Sequence, residues 1–443
     1  MRRDRPPAVR PPARWLFPGP ERAYLPSGLR VLAFHRPGQH IAAVGLVLDI
    51  PLNVEPAGIE GVATVAHHCL DEGTASHPGE SFTEELEDTG GALGGLVSHS
   101  ASHLYLEVPV PRLPQALGLL AEAVIEPEFN AADVDRHRLL RLAQIDQQQA
   151  NSAHRAAIEY RRALIPGRYR SARVAGGDRE TVAAVTRQDV VDFHARYYRP
   201  DGATIVLCAD FTDDPLRLVE EAFAGWTGSA GEITHEVPHG RRPHCRLIHR
   251  PGAVQADVRL GSFGIDRSDP RWADLQVASH ALGGSLGSRL TSVLREEKGY
   301  TYGVHLVNHP MRDGGLLAVQ ASFRTEVAVE AITTAVDLLD LSSAPITAAE
   351  VKEAVGYLQG SAPLRYATAQ GVAERVTSLV AAGLSAEFVN SFAVALDRVT
   401  PESATATMST LLPTDRLSLV VVGDADALHG PLAEAGWDVE RRR

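Results

Sequence analysis

Two adjacent histidines, His67 and His68, close the stretch GVATVAHHC, and imidazoles on a helix are ready metal ligands and proton acceptors. With His99 and His103 they make four imidazoles within a short length of chain, enough for a metal site if the fold gathers them. His99 and His103 fall in what reads as one strand, which sets them about 13 Å apart at ~3.3 Å per residue. That is too far for one ion without a bend, so the simpler reading is that His67 and His68 are polar residues of a cleft without metal. The thiols Cys69, Cys208 and Cys245 form no CxxC pair, so neither a zinc ribbon nor a disulfide framework is expected.

The elements that must position these residues are readable. GLRVLAF and IAAVGLVLDIP are apolar and β-branched and predict neighbouring antiparallel strands. Residues 61–70 have helical spacing. SFTEELEDTGG predicts a second helix capped by Ser81, with Glu84 completing a capping box and Gly90 ending it. HLYLEVPV alternates as a strand, while LPQALGLLAEAV and DVDRHRLLRLAQIDQQQA are amphipathic helices. GGALGGLVSHS sets four glycines beside a strand, which read by themselves as a flexible loop with a bulge.

The chain also repeats itself. NAADVDRHRLL at 130–140 answers TAAEVKEAVGYL at 347–358, and the segment 185–210 answers 399–424. The expected fold is therefore α+β, two homologous α/β-sandwich domains, each with an antiparallel-rich sheet covered by helices. The expected divisions are a disordered tail at 1–22, a first domain at 23–224, a linker at 225–245, a second domain at 246–430 and a tail at 431–443. With 443 residues and a net charge of −12, bulk electrostatics attract neither nucleic acid nor anionic lipid. Arginine carries the positive charge almost alone, the lysines being Lys298 and Lys352. The basic, Pro-rich start lacks the apolar core of a secretory signal, and a reducing cytoplasm is the expected location.

Three segments carry a resemblance over about residues 24–427: LPSGLRVLAFHRPGQHIAAVGLVLDIP, GIEGVATVAHHCLDEGT with LEDTGGALGG, and LGGSLGSRLTSVLREEKGYTYGV. The chain resembles the pitrilysin/insulinase family of inverted zinc metallopeptidases, in particular short two-domain members similar to mitochondrial processing peptidase. Active members carry H-x-x-E-H on a helix, with a further Glu as the third zinc ligand. Gly61, Val62 and Ala63 before the motif and Gly73 and Thr74 after it align its five positions with Thr64, Val65, Ala66, His67 and His68. Thr64 then replaces the first ligand and His67 the general base, while His68 keeps its type. The third ligand falls on Gln144. The resemblance thus implies no metal on this chain.

What the resemblance implies for the second half is different. The family's Arg and Tyr, seven apart, match Arg295 and Tyr302, as a clamp for substrate carbonyls and for the oxyanion. Gly94, Gly95, Leu96 and Val97 match the edge strand to which peptide adds. The implied role is the non-catalytic, substrate-binding subunit of a heterodimeric zinc metalloendopeptidase. Its homologous partner would bear the zinc, and short or leader peptides would be its substrates. A scaffold protein without proteolytic partner and a self-sufficient peptidase with rearranged metal ligands are the alternatives.

Overall fold

In the computed structural model, which describes residues 15–442, the apolar runs and helical spacings become two sets of elements. The first comprises β1 (Glu21–Tyr24), β2 (Arg30–His35), β3 (Ile41–Leu48), α1 (Val62–His68), α2 (Glu80–Asp88), β4 (Ala92–Val97), β5 (Ser102–Pro109), α3 (Leu113–Ile125), α4 (Ala131–Ala150), α5 (Ser152–Leu164), α6 (Arg179–Ala184), α7 (Arg187–Tyr197), β6 (Thr204–Ala209) and α8 (Pro215–Ala222). The second begins with β7 (Cys245–His249), β8 (Gln255–Gly264) and α9 (Trp272–Ser279). Two π-helical turns, His280–Gly284 and Thr291–Glu297, lead to β9 (Val304–Pro310) and β10 (Gly315–Arg324). Then come α10 (Ala328–Leu339), α11 (Ala348–Arg365), α12 (Ala369–Ala381), α13 (Phe388–Leu396), α14 (Pro401–Leu411), β11 (Ser418–Gly423), α15 (Ala425–Glu434) and β12 (Val439–Arg442).

Each set builds one six-stranded mixed sheet, ordered β1-β2-β6-β3-β5-β4 and β12-β7-β11-β8-β10-β9. The fold is thus two α+β domains, and the internal repeat is visible strand by strand. β2, β6, β3, β5 and β4 correspond to β7, β11, β8, β10 and β9. The sixth place is filled by β1, the first of the described strands, in one sheet and by β12, the last of them, in the other.

The expected pairing of β2 with β3 is corrected. β6 lies between them, parallel to β2 and antiparallel to β3. Every β6 residue is buried, and a strand apolar on both faces gains most at a central position. Ser81 does not cap α2 either. The helix starts at Glu80 after Gly79, which has φ 57°, and the Ser81 hydroxyl donates to the Pro78 carbonyl at 2.8 Å. Gly90, with φ 69°, follows the helix as a left-handed terminator.

Both expected tails are partly structured. Residues 1–14 lie outside the described residues, but Phe17 is buried and exchanges hydrogen bonds with Asn390. At the other end, β12 pairs in parallel with β7 and closes that sheet edge. The expected linker has no regular structure from 225 to 244, yet it is fastened to the first domain. Thr234 accepts from Asn53, His235 contacts Asp49 at 2.8 Å, and Glu236 accepts from the backbone of Arg170.

The domains exchange helices. α12 from the second half packs on β3 and β6, burying Val372 and Val376 against Phe34 and Val206. α5 from the first half packs on β8 and β11, burying Tyr160 and Leu164 against Ile248 and Val420. Each sheet therefore has its own helices on one face and a helix of the other half on the opposite face. Close approach is permitted by Gly45 in β3, where a Cβ would strike Thr377 of α12, and by Gly261 in β8, where it would strike the Tyr160 hydroxyl.

Candidate functional site

α1 is short and begins at Gly61, with φ 106°. Its free N–H groups need acceptors, and the buried Glu55 carboxylate supplies one, at 2.9 Å from Gly61 N and 3.1 Å from Ala63 N. Arg170 holds Glu55 in turn at 2.7 Å, and its remaining donors reach the carbonyls of Val174 and Ala175. Val62, Ala63, Val65 and Ala66 face the core. Thr64 and His68, one turn apart, therefore share the opposite side.

That side meets α4. His137, Arg141 and Gln144 fall at i, i+4 and i+7 of α4 and form one stripe. The His68 ring stacks on His137 with centroids 5.8 Å apart, and His137 Nε2 is 2.7 Å from Glu72. Arg141 is buried, donates to the Gly176 carbonyl at 2.8 Å and reaches the Gln144 amide oxygen at 3.3 Å. Partial desolvation, then the charges of His137 and Arg141, lower the His68 pKa. His67 turns the other way, into the sheet. It is buried, and a Cβ on Gly95 would lie 2.5 Å from its Nε2. Burial, followed by the neighbouring His68, pulls its pKa down to about 3.

These donors do not fit a zinc ion. A hydroxyl, one imidazole and a neutral amide are a poor set, and the Arg141 guanidinium fixes a positive charge beside the amide. His67 is a neutral imidazole throughout the physiological range, too weak a base at that pKa to activate water. The four-histidine alternative is not gathered either. The expected strand through His99 is corrected to a turn, in which Ser98 N donates to Ala101 O at 2.9 Å. His99 Nε2 is directed instead to the Arg173 carbonyl at 2.9 Å.

Gly94, Gly95, Leu96 and Val97 lie on β4, the outer edge of the first sheet. Their pairing with β5 is continuous, Ala92 with Glu107 through to Val97 with Ser102, so the glycines make a regular edge without a bulge. One long side of β4 is free for another strand among the described residues.

Arg295 sits on the second π-helical turn and pairs, among the described residues, with the adjacent Glu296 at 3.3 Å. Tyr302 is 94% exposed. The loop beneath it is nevertheless fixed. Thr301 Oγ1 donates to Ser322 O at 2.8 Å, Lys298 meets Glu330 of α10 at 3.1 Å, and β9 starts at Val304. A large aromatic ring held in solvent on an anchored loop is a feature of contact surfaces.

Glu55, Arg141, Arg170 and His137 were not singled out from sequence. The signal for His137 and Arg141 was present, since both share the helical stripe of Gln144. Glu55 and Arg170 are 115 positions apart and carried none.

Comparison with known proteins agrees with this architecture. Residues 30–165 match the family described as insulinase (peptidase family M16), and residues 184–358 match the peptidase M16 inactive domain. An uncharacterized zinc protease of Mycobacterium tuberculosis is 29% identical over 348 residues, 77% of this chain and 79% of that protein. A probable mitochondrial-processing peptidase subunit beta of Schizosaccharomyces pombe is 25% identical over 309 residues, 66% of this chain and 67% of the other. The crystal structure of a peptidase M16 inactive domain from Pseudomonas fluorescens superposes with a TM-score of 0.84 at 24% identity, covering 91% of this chain and 98% of that one.

Proposed function

Since the chain belongs to the insulinase family of peptidases, M16, and its motif positions cannot hold the metal, we propose that it is the substrate-holding subunit of a heterodimeric zinc endopeptidase. The catalytic ion belongs to a homologous partner, where it activates the attacking water. This chain contributes Arg295, whose planar fork holds substrate carbonyl oxygens, and Tyr302, whose hydroxyl donates to the oxyanion. The free edge of β4 takes the peptide as an added strand. The substrates are short or leader peptides.

The observation that carries this reading is an asymmetry. The motif side of α1 is filled by His137, Arg141 and Gln144, whereas Tyr302 stands almost wholly in solvent on a pinned loop. A relative whose name includes "subunit beta" supports a multi-subunit arrangement.

The test is reconstitution. The chain is co-expressed with an H-x-x-E-H homologue from the same organism, and cleavage of peptide pools is followed. Hydrolysis is expected from the complex and not from this chain alone. In the complex, Tyr302→Phe should lower kcat on the order of 10²–10³-fold with assembly intact. Arg295→Ala should also raise KM, and His68→Ala should change the rate by less than about twofold. Loss of cleavage in His68→Ala with none in Tyr302→Phe would reverse the assignment of subunits.

A further inference from the structure

A cleft of about 720 Å³ lies in the second domain between α9, α11 and α13, with Trp15 of the leading segment at its rim. α11 is the repeat partner of α4, so the cleft borders the second half's counterpart of the α1/α4 site. Three arginines line it: Arg267 from the loop after β8, Arg365 at the end of α11 and Arg375 of α12. Among the described residues none of the three has a carboxylate partner. The lining carboxylate Asp397 is occupied by Gln359, whose Nε2 donates to it at 2.7 Å. Arg375 Nε and Gln276 Nε2 are buried and have no hydrogen-bond acceptor. The contrast within the same molecule is Arg170, more deeply buried yet satisfied by Glu55 and two carbonyl bonds.

Charges removed from water without partners are costly, and like charges together are more so. Burial and then the neighbouring Arg375 pull the Arg267 pKa down to about 10. Arg375 is lowered as well, by burial first and also by Arg365. An anion in the cleft offsets the burial of Arg267 and Arg375, meets Arg365 at the rim and gives the orphaned donors an acceptor. Trp272, Leu358 and Phe392 give the wall an apolar stretch, with Trp15 stacked on Tyr366 at 5.7 Å, beside the amides of Gln276, Asn308 and Asn390. Inorganic anions gain nothing from such a wall, whereas an acid with an aromatic or aliphatic body does.

We infer that this cleft binds an organic carboxylate with an apolar body, its carboxylate on Arg267, Arg365 and Arg375 and its body against Trp272, Leu358 and Phe392. Free organic acids and the C-terminal carboxylate of a peptide share that chemistry. The site stands independently of any peptidase partner.

The experiment is calorimetric titration of the full chain with 3-phenylpropionate, its neutral amide, the peptide Ala-Ala-Phe as free acid and as C-terminal amide, and inorganic phosphate. At least one free acid should bind at least about tenfold more tightly than its own amide and than phosphate. The tighter of the two acids identifies the source. Arg375→Gln and, at the exposed rim, Arg365→Gln should each weaken that acid by about tenfold or more. Because removing one like charge relieves repulsion, neither variant should melt below the parent chain. The site is disproved if neither acid binds up to about 10 mM, if acid and amide bind alike, if phosphate matches the acids, or if both folded variants retain parental affinity.

Discussion

At the scale of single residues, the α1/α4 locus joins two kinds of information. Thr64, His67 and Gln144 are legible in the sequence as replacements of metal-binding types. Their surroundings are not, because Arg141 is fixed by the carbonyl of Gly176, 35 positions away. That guanidinium changes what restoring the motif can achieve. In the triple variant Thr64→His, His67→Glu, Gln144→Glu, the new Glu at 144 faces Arg141, which already bonds Gln144, and forms an ion pair with it. The new Glu at 67 is buried against Gly95 and His103 without a cation to meet. The parent chain should carry no stoichiometric zinc after dialysis, and the triple variant should bind zinc only weakly. Adding Arg141→Met should tighten binding about tenfold or more, the usual effect of groups that orient or compete for ligands. Elemental analysis and competitive chelator titration measure both. One zinc per parent chain, or no gain from Arg141→Met, counts against this account of the locus.

At the scale of elements, α1 and the sheet order show what periodicity leaves out. A seven-residue helix has little stability of its own. Here its start depends on Glu55, which lies six positions before Gly61 in a loop and is held by Arg170. No capping pattern in the sequence marks such an anchor. Similarly, alternation identifies β2 and β3 as strands but cannot show that β6 arrives between them from more than 150 positions downstream. Thr347 before α11 makes a capping box with Glu350, whereas the like pattern at Ser81 misleads because Gly79 has already opened the helix. Glu55→Ala leaves Arg170 buried without its carboxylate and removes the acceptor of two α1 N–H groups. The expected loss is about 3–5 kcal/mol in urea denaturation, with hydrogen exchange fastest at Val62–His68. Glu55→Gln should lose less, since an amide oxygen still accepts. A change in Glu55→Ala within ±0.5 kcal/mol, the range of an ordinary surface substitution, would remove this pair from the account of how α1 is held.

At the scale of the whole molecule, the repeat in the sequence announces two like domains, yet the exchange of α5 and α12 between sheets is invisible to it. Both helices are simply amphipathic, and nothing local states which sheet they cover. The exchange ties the halves into one core, so they should unfold together, and their shared response to acid follows from buried histidines. Burial is the first cause holding His67 and His99 at about 3 and His103 and His194 at about 4. The unfolded chain titrates these rings near 6.5. Between those values the unfolded state binds the extra protons, so stability must fall as pH falls from about 6.5 toward 4. Each ring contributes at most about 1.4 kcal/mol per pH unit in that window. His68, His244, His280 and His309 are lowered too and act in the same sense, whereas burial raises the carboxyls of Glu55 and Asp71, which act in the opposite sense. Glu350, held down to about 2 with Arg289 against it, loses its contribution as pH falls from its ordinary 4.5 toward 2, in a separate lower window. Urea midpoints should therefore drop steadily between pH 6.5 and 4.5, and His103→Asn should flatten that dependence by up to one proton. A midpoint constant over this range, or an unchanged slope in His103→Asn, would mean that the buried rings are already charged or already in water.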